Sequence, residues 1–264
     1  MPELAGPTWA LLTVGALLVG LAKTALPGGG TLAVALFAAA LPARASTGAL
    51  LVLLIVGDLF AVWIYRAHAD LAMLRRLAPP VIVGVLAGTA FLAVADNEGV
   101  RRTIGIVLLS LIALNLVQRW RRSRRDRVGA TDGTAPADPA HGTGKGRRRA
   151  LTLGYGTLGG FTTMVANAAG PVMSLYFLTA STSVNRFLGT AAWFFFAVNL
   201  AKTPFSISLG LIDTATLRLD LFLVPAVVVG ALTGRVIARR LDFRLFDKLV
   251  MGLTVVSASY LVVA

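Results

Sequence analysis

The chain has 264 residues, 56% of them apolar and only 14% charged, with a mean hydropathy of +0.78. A soluble domain clothes its surface with about 25% charged residues, so this composition excludes one. The net charge of +13 would suggest nucleic acid in a soluble protein, but in a membrane chain Lys and Arg collect in cytoplasmic loops, and no nucleic-acid partner is expected.

The N-terminus carries no basic leader or small-residue cleavage site, so the first apolar run is expected to be retained. The first repeat, 1–118, reads as a helix over 8–26 that breaks at Pro27-Gly28-Gly29-Gly30 and returns over 28–41. Spans follow at 46–65, 77–95 and 103–118, long enough for a hydrocarbon core of about 30 Å, and β-barrel alternation is absent. Residues 119–149 form a polar linker whose ends, Arg119–Arg127 and Lys145–Arg149, hold six and four basic residues. Its Gly/Pro-rich middle has too little apolar surface to fold alone. The second repeat, 150–264, reads as 150–166 and 171–184 around the break Asn167-Ala168-Ala169-Gly170-Pro171, then 187–210, 219–238 and 249–264.

The two halves repeat each other weakly. Gly84 and Gly88 recur as Gly230 and Gly234, each pair preceded by a proline (Pro79, Pro225), and small residues four apart let helices approach closely. Positive charge orients the spans. With the linker cytoplasmic, Arg66–Arg76 and Arg239–Lys248 also lie inside with three and four basic residues, against one at Arg44, two at Arg101–Arg102 and one at Arg218 outside. Each half then has an odd number of segments, a broken or re-entrant hairpin followed by three transmembrane helices. The expected fold is an all-α integral membrane protein of two inverted-topology repeats, multi-pass in the cell membrane, with both termini extracytoplasmic.

In such a plan the substrate binds between discontinuous helices from both halves. A helix starting inside the membrane offers free N–H groups and a partial positive charge, and glycine lets an anion approach that backbone. Gly28, Gly29, Gly30 and Thr31 at one break and Gly170 with Pro171 at the other are such starts; each could alternatively be a plain kink. Lys23 is the only charged residue between 8 and 41, Asp58 between 45 and 65, and Lys202 between 187 and 212. An ionisable group deep in a bilayer costs at least about 2.5–3.5 kcal/mol, so it faces a cavity or a partner. Both lysines are candidate anion ligands, with snorkelling to a headgroup as the alternative. Asp58 cannot snorkel far and is expected to pair with a lysine or to carry a coupling proton. Pro204 is expected to interrupt the helix carrying Asn199 and Lys202. Thr24, Thr163 and Asn167 add neutral donors beside the breaks, and Arg186 is either a ligand or a membrane-edge anchor.

No catalytic constellation accompanies these residues. His68 and His141 fall in expected loops, and there is no HExxH, paired-carboxylate or phosphate-loop pattern. No enzyme activity, metal or cofactor is expected, and the absence of cysteine excludes thiolate chemistry.

The run Gly20-Leu-Ala-Lys23-Thr24-Ala-Leu-Pro27-Gly28-Gly29-Gly30 resembles the first-repeat motif of the TauE/SafE-like sulfite exporter family, the TSUP group. So do Gly159-Gly160, Asn167-Ala-Ala-Gly170-Pro171, Asn185-Arg186-Phe187-Leu-Gly189-Thr190, Trp193-Phe-Phe-Phe196, Asn199 and Lys202. The likeness covers nearly the whole chain outside the linker. It implies a secondary transporter for export or uptake, export being the favoured direction, of small sulfur-containing anions such as sulfite, organosulfonates or thiosulfate. The residues by themselves reach only an anion cavity between inverted halves. A passive anion channel and a non-transport scaffold or maturation factor fit the same residues.

Overall fold

The computed structural model describes residues 6–25, 30–100, 102, 103, 106, 110, 145–178 and 183–240. The described residues are helical, with no strand among them. In chain order, α1 (Gly6–Thr24) leads to a short α2 (Gly30–Ala40) and then to α3 (Ala43–Tyr65). A 3-10 turn at Arg66–His68 precedes α4 (Leu71–Val94). The second half supplies α5 (Lys145–Ala166), a short α6 (Ala169–Leu178), α7 (Val184–Ser208) and α8 (Thr214–Arg240). Among the described residues, four helices are long and apolar enough to cross a membrane: α1, α3 with its 3-10 turn, α4 and α8. The expected spans at 249–264 and, for most of their length, 103–118 lie outside the described residues, as does the linker up to 144.

Local sequence explains the boundaries. Asp70 starts α4 by accepting the N–H of Met73 (3.0 Å), and Ser183 starts α7 by accepting that of Arg186 (3.3 Å). Asp213 does the same for α8 through Thr216 (2.7 Å). Two boundaries differ from expectation. α5 begins at Lys145, inside the expected linker, because Lys and Arg are good helix formers and extend the apolar helix outward. α7 passes uninterrupted through Pro204, which corrects the break expected there. The ring costs one backbone bond, and Thr203 keeps the turn anchored by donating its hydroxyl to the Asn199 carbonyl (2.8 Å).

Glycine sets the closest helix contacts. A Cβ on Gly20 would collide with the main chain of Val227 and Ala231, and one on Gly230 with that of Leu17 and Leu21. α1 and α8 therefore touch backbone to backbone and run in the same direction, with Trp9 against Phe222 further towards their N-termini. α4 and α5 make a second parallel seam: Gly160 lies on the main chain of Val81 and Val85, and Gly84 on that of Thr157 and Phe161. α3 runs parallel to α1, because Lys23 meets Asp58 and the Thr24 carbonyl accepts the Tyr65 hydroxyl (2.8 Å). α3 and α7 are antiparallel: Gly48 abuts the Leu211 carbonyl, Asp58 meets Asn199, and Gly189 abuts the chain at Tyr65–Ala69. Arg44, at the start of α3, donates to the Leu92 and Ala95 carbonyls (2.9 Å each) and to that of Leu209 (3.3 Å), capping the ends of α4 and α7.

The apolar core divides in two. One cluster joins α1, α2, α3 and α8 around Leu12, Phe37, Leu50, Leu53 and Val227. The other draws mainly on α4, α5, α6 and α7 around Leu77, Val85, Met173, Phe177 and Phe187. Each cluster mixes the two sequence halves, and the polar residues of the next section lie where the clusters meet.

Candidate functional site

The second break shows how the chain stops one helix and starts another. Asn167 adopts a positive φ of 52°, a left-handed conformation that Asn tolerates and most side chains do not. The N–H of Ala168 reaches back to the Thr162 carbonyl (3.2 Å), closing the end of α5, and α6 restarts at Ala169. Lys202, 1% exposed, approaches from α7 and donates its Nζ to the Thr163 carbonyl (2.7 Å), the Thr163 hydroxyl (3.1 Å) and the Asn167 side-chain carbonyl. A cation at a helix C-terminus is favourable, and these three acceptors use all three ammonium protons. The Asn167 amide then donates across to the Thr47 carbonyl of α3 (2.9 Å).

The end of α1 brings Lys23 to the cavity that Thr163 and Asn167 also line. Its Nζ lies 2.7 Å from Asp58 Oδ1 and 4.5 Å from the centroid of the Phe195 ring. At 2.7 Å, Lys23 and Asp58 form a buried ion pair. The other carboxylate oxygen accepts the Asn199 amide (2.6 Å). Asp58 is fully buried, whereas the Lys23 side chain keeps 10% of its surface exposed.

That surface opens on a small cavity. Its polar wall is Lys23, Thr31, Thr163, Asn167 and Asn199, with Gly30 and Gly170 at the starts of α2 and α6. Val19, Ala22, Leu54 and Phe195 make the apolar wall. Centres of water-sized molecules can occupy about 30 Å³ of it. One water needs on the order of 10–15 Å³ by that measure, so about two or three fit. Among the described residues no group of three or more His, Cys, Asp or Glu converges to hold a metal.

The residues singled out from sequence divide by place. Lys23, Gly30, Thr31, Thr163, Asn167, Gly170 and Asn199 line the cavity; Asp58 and Lys202 stand one layer behind. Gly28 and Gly29 lie outside the described residues. Thr24 belongs to the α1–α8 seam, where its hydroxyl meets the Gly20 and Ala231 carbonyls (3.1 and 2.9 Å). Arg186 pairs with Asp70 (2.9 Å) at the start of α4, 48% exposed and apart from the cavity wall. The Met73 N–H and then the Arg186 guanidinium hold the Asp70 carboxyl below the usual carboxylate range. Sequence reasoning missed Phe195 as a cation platform and the Thr47 carbonyl as an acceptor. Phe195 had a signal in its aromatic run opposite an isolated lysine; a backbone acceptor leaves none.

A family model described as Sulfite exporter TauE/SafE matches residues 12–261. No curated protein and no solved structure gives a significant match.

Proposed function

The chain belongs to the sulfite exporter TauE/SafE family, and we propose that it is a secondary transporter, working as an exporter, of a small sulfur oxyanion. Membership makes it a multi-pass protein of a membrane-transporter family; the substrate, the site and the cycle are the proposal. One observation carries it: two helix breaks, one from each half, and a partly open lysine surround one cavity. Backbone N–H groups at helix starts and an ammonium are the donors an oxyanion needs. The space suits an ion of about four heavy atoms. Lys23 and Lys202 against Asp58 leave one formal positive charge, which favours a monoanion such as hydrogen sulfite or a small sulfonate over a neutral solute.

Inverted repeats are the architecture this reading requires. Supporting them, α1, α3 and α8 run one way and α4, α5 and α7 the other, so each second-half helix opposes its first-half counterpart. The seam contacts repeat with the halves exchanged: Gly20 on Val227 and Ala231 matches Gly160 on Val81 and Val85. Asp58 and Asn199, 141 positions apart, occupy equivalent places and bond to each other. An anion entering between the two apolar clusters would draw Lys23 from Asp58 towards itself, and rocking of one cluster against the other would expose the cavity alternately. In this scheme Lys202, its donors already used, holds the second break in shape and adds charge.

The test is anion binding by purified protein. Lys23→Met removes a charged contact worth about 1.5–3 kcal/mol, so affinity for sulfite or a small sulfonate should fall about tenfold or more. Arg102→Gln, at an exposed pair with Glu98, should bind as the parent does. Parental affinity and saturable transport in Lys23→Met would refute the site.

A further inference from the structure

Two of the described carboxylates are buried within helices, Asp58 and Asp220. Every other described carboxylate has a visible role: Asp70, Asp96 and Asp213 accept backbone N–H groups, and Glu98 pairs with Arg102. Asp58 has Lys23 and Asn199. Asp220 is 1% exposed, and among the described residues neither carboxylate oxygen has a hydrogen-bond partner.

Among the described residues its surroundings supply no counter-charge. Asp220 lies near the start of α8, which packs against α1 and α3. The charge on α1 is Lys23, bound to Asp58; those on α3 are Asp58 itself and Arg44, bound to three carbonyls. On α8, Arg218 is exposed and two positions away, which puts it on another face. Arg235 lies about 22 Å further along the helix at 1.5 Å per residue, its guanidinium over Trp63, with Arg239 and Arg240 beyond. Asp213, in the turn before α8, is occupied with Thr216. An ionised carboxylate held so would lack both water and partner, an arrangement proteins avoid by neutralising the group. Its immediate neighbours Leu219 and Leu223 pack in the apolar cluster of α1, α2, α3 and α8.

We propose that Asp220 is a proton-binding site of the transport cycle, loaded in the conformation described here and unloaded when α8 moves relative to α1 and α3. It thereby couples anion movement to the proton gradient. Asp58 is not the carrier, because its carboxylate is engaged as the counter-ion of Lys23. The inference rests on the transporter reading above. It adds a second site, on the helix that shares the glycine seam with the Lys23 helix, so displacement of that pair reaches both.

Two measurements decide it. Difference infrared spectroscopy of the parent at neutral pH should show a protonated-carboxyl band that is missing in Asp220→Asn. In proteoliposomes, an imposed pH gradient should drive uphill accumulation of labelled sulfite or sulfonate by the parent. Asp220→Asn should lose that uphill phase yet retain downhill exchange, and Asp220→Glu should restore part of it. Asn imitates the protonated acid, so the variant should fold; an unfolded Asp220→Asn, or a parent without the band, overturns the proposal. A band that disappears while uphill transport persists overturns the coupling and leaves a buried neutral acid. A parent that moves no sulfur oxyanion defeats the transporter reading and this one with it. A parent that moves the anion but ignores the pH gradient defeats only this one.

Discussion

Removing one charge at a time from the Lys23–Asp58 pair should reveal which partner depends more on the other. In Lys23→Met the apolar stem stays, but Asp58, fully buried, keeps only the Asn199 amide. Breaking a buried pair from one side costs about 3–5 kcal/mol. In Asp58→Asn the stranded ammonium is better placed: Lys23 is 10% exposed and its Nζ lies 4.5 Å from the Phe195 centroid. A cation on an aromatic face recovers about 0.5–2 kcal/mol, so this variant should lose correspondingly less. The double variant Lys23→Met/Asp58→Asn removes both charges and should recover most of the loss, giving a coupling energy of about 3 kcal/mol or more. Unfolding in detergent, followed by the fluorescence of the four tryptophans, measures all three. The double variant should regain stability without regaining anion affinity, since the cavity then lacks its exposed ammonium. Single variants within about 0.5 kcal/mol of the parent would show that the pair is not closed in the native protein, and the argument would fail at its first step.

Gly20→Ala and Gly160→Ala each push a Cβ into backbone across a seam and should cost similar amounts, on the order of 1–3 kcal/mol, whereas Gly154→Ala, which meets open space, should be neutral or slightly stabilising in the same unfolding assay. Asp70→Ala should cost about 1 kcal/mol at neutral pH. The folded Asp70 carboxyl sits below its unfolded value, so its contribution is present above about pH 4 and fades as pH falls through the folded value. An unfolding series from neutral to acid pH should therefore show parent and variant converging. In this cysteine-free chain, an impermeant thiol reagent should label Asp213→Cys in intact cells and miss Ala69→Cys, because the turns after α7 and α3 lie at opposite ends of their antiparallel pair. Equal labelling of both refutes the orientation.

The isolated charges were the most legible part of the site. Lys23, Asp58 and Lys202 stand out in sequence because a lone ionisable group in an apolar run is costly enough to need a partner. Their pairing was not legible: nothing in the spacing assigns Asp58 to Lys23 rather than Lys202, and the choice follows from α1 and α3 running parallel. The break at Asn167 could be read from its Gly/Pro surroundings, but its cause, an Asn in left-handed geometry held by a lysine from another helix, is tertiary. Gly84 and Gly230 announced close helix contacts without naming the partners, Gly160 and the Leu17–Leu21 backbone. Pro204 misled because a proline's local effect was read as a chain break, when one lost bond inside a 25-residue helix is easily carried. Asp220 was passed over although it falls inside the expected span 219–238, because it lies one residue from the start of that span, beside Arg218.

The seam between α1 and α8 has a consequence for how the protein is made. The Thr24 hydroxyl reaches a carbonyl 207 positions further along the chain. At about 5–20 residues per second, the ribosome releases α1 on the order of 10–40 seconds before its partner exists. Meanwhile the Gly20 face has only lipid or the insertion machinery against it, although Lys23 can already find Asp58 within the first half. The nascent first half must be held open until the last described helix arrives, and α5 likewise seeks α4 across the linker. A gene divided at that linker should therefore yield two fragments that are each degraded when expressed alone and persist when expressed together.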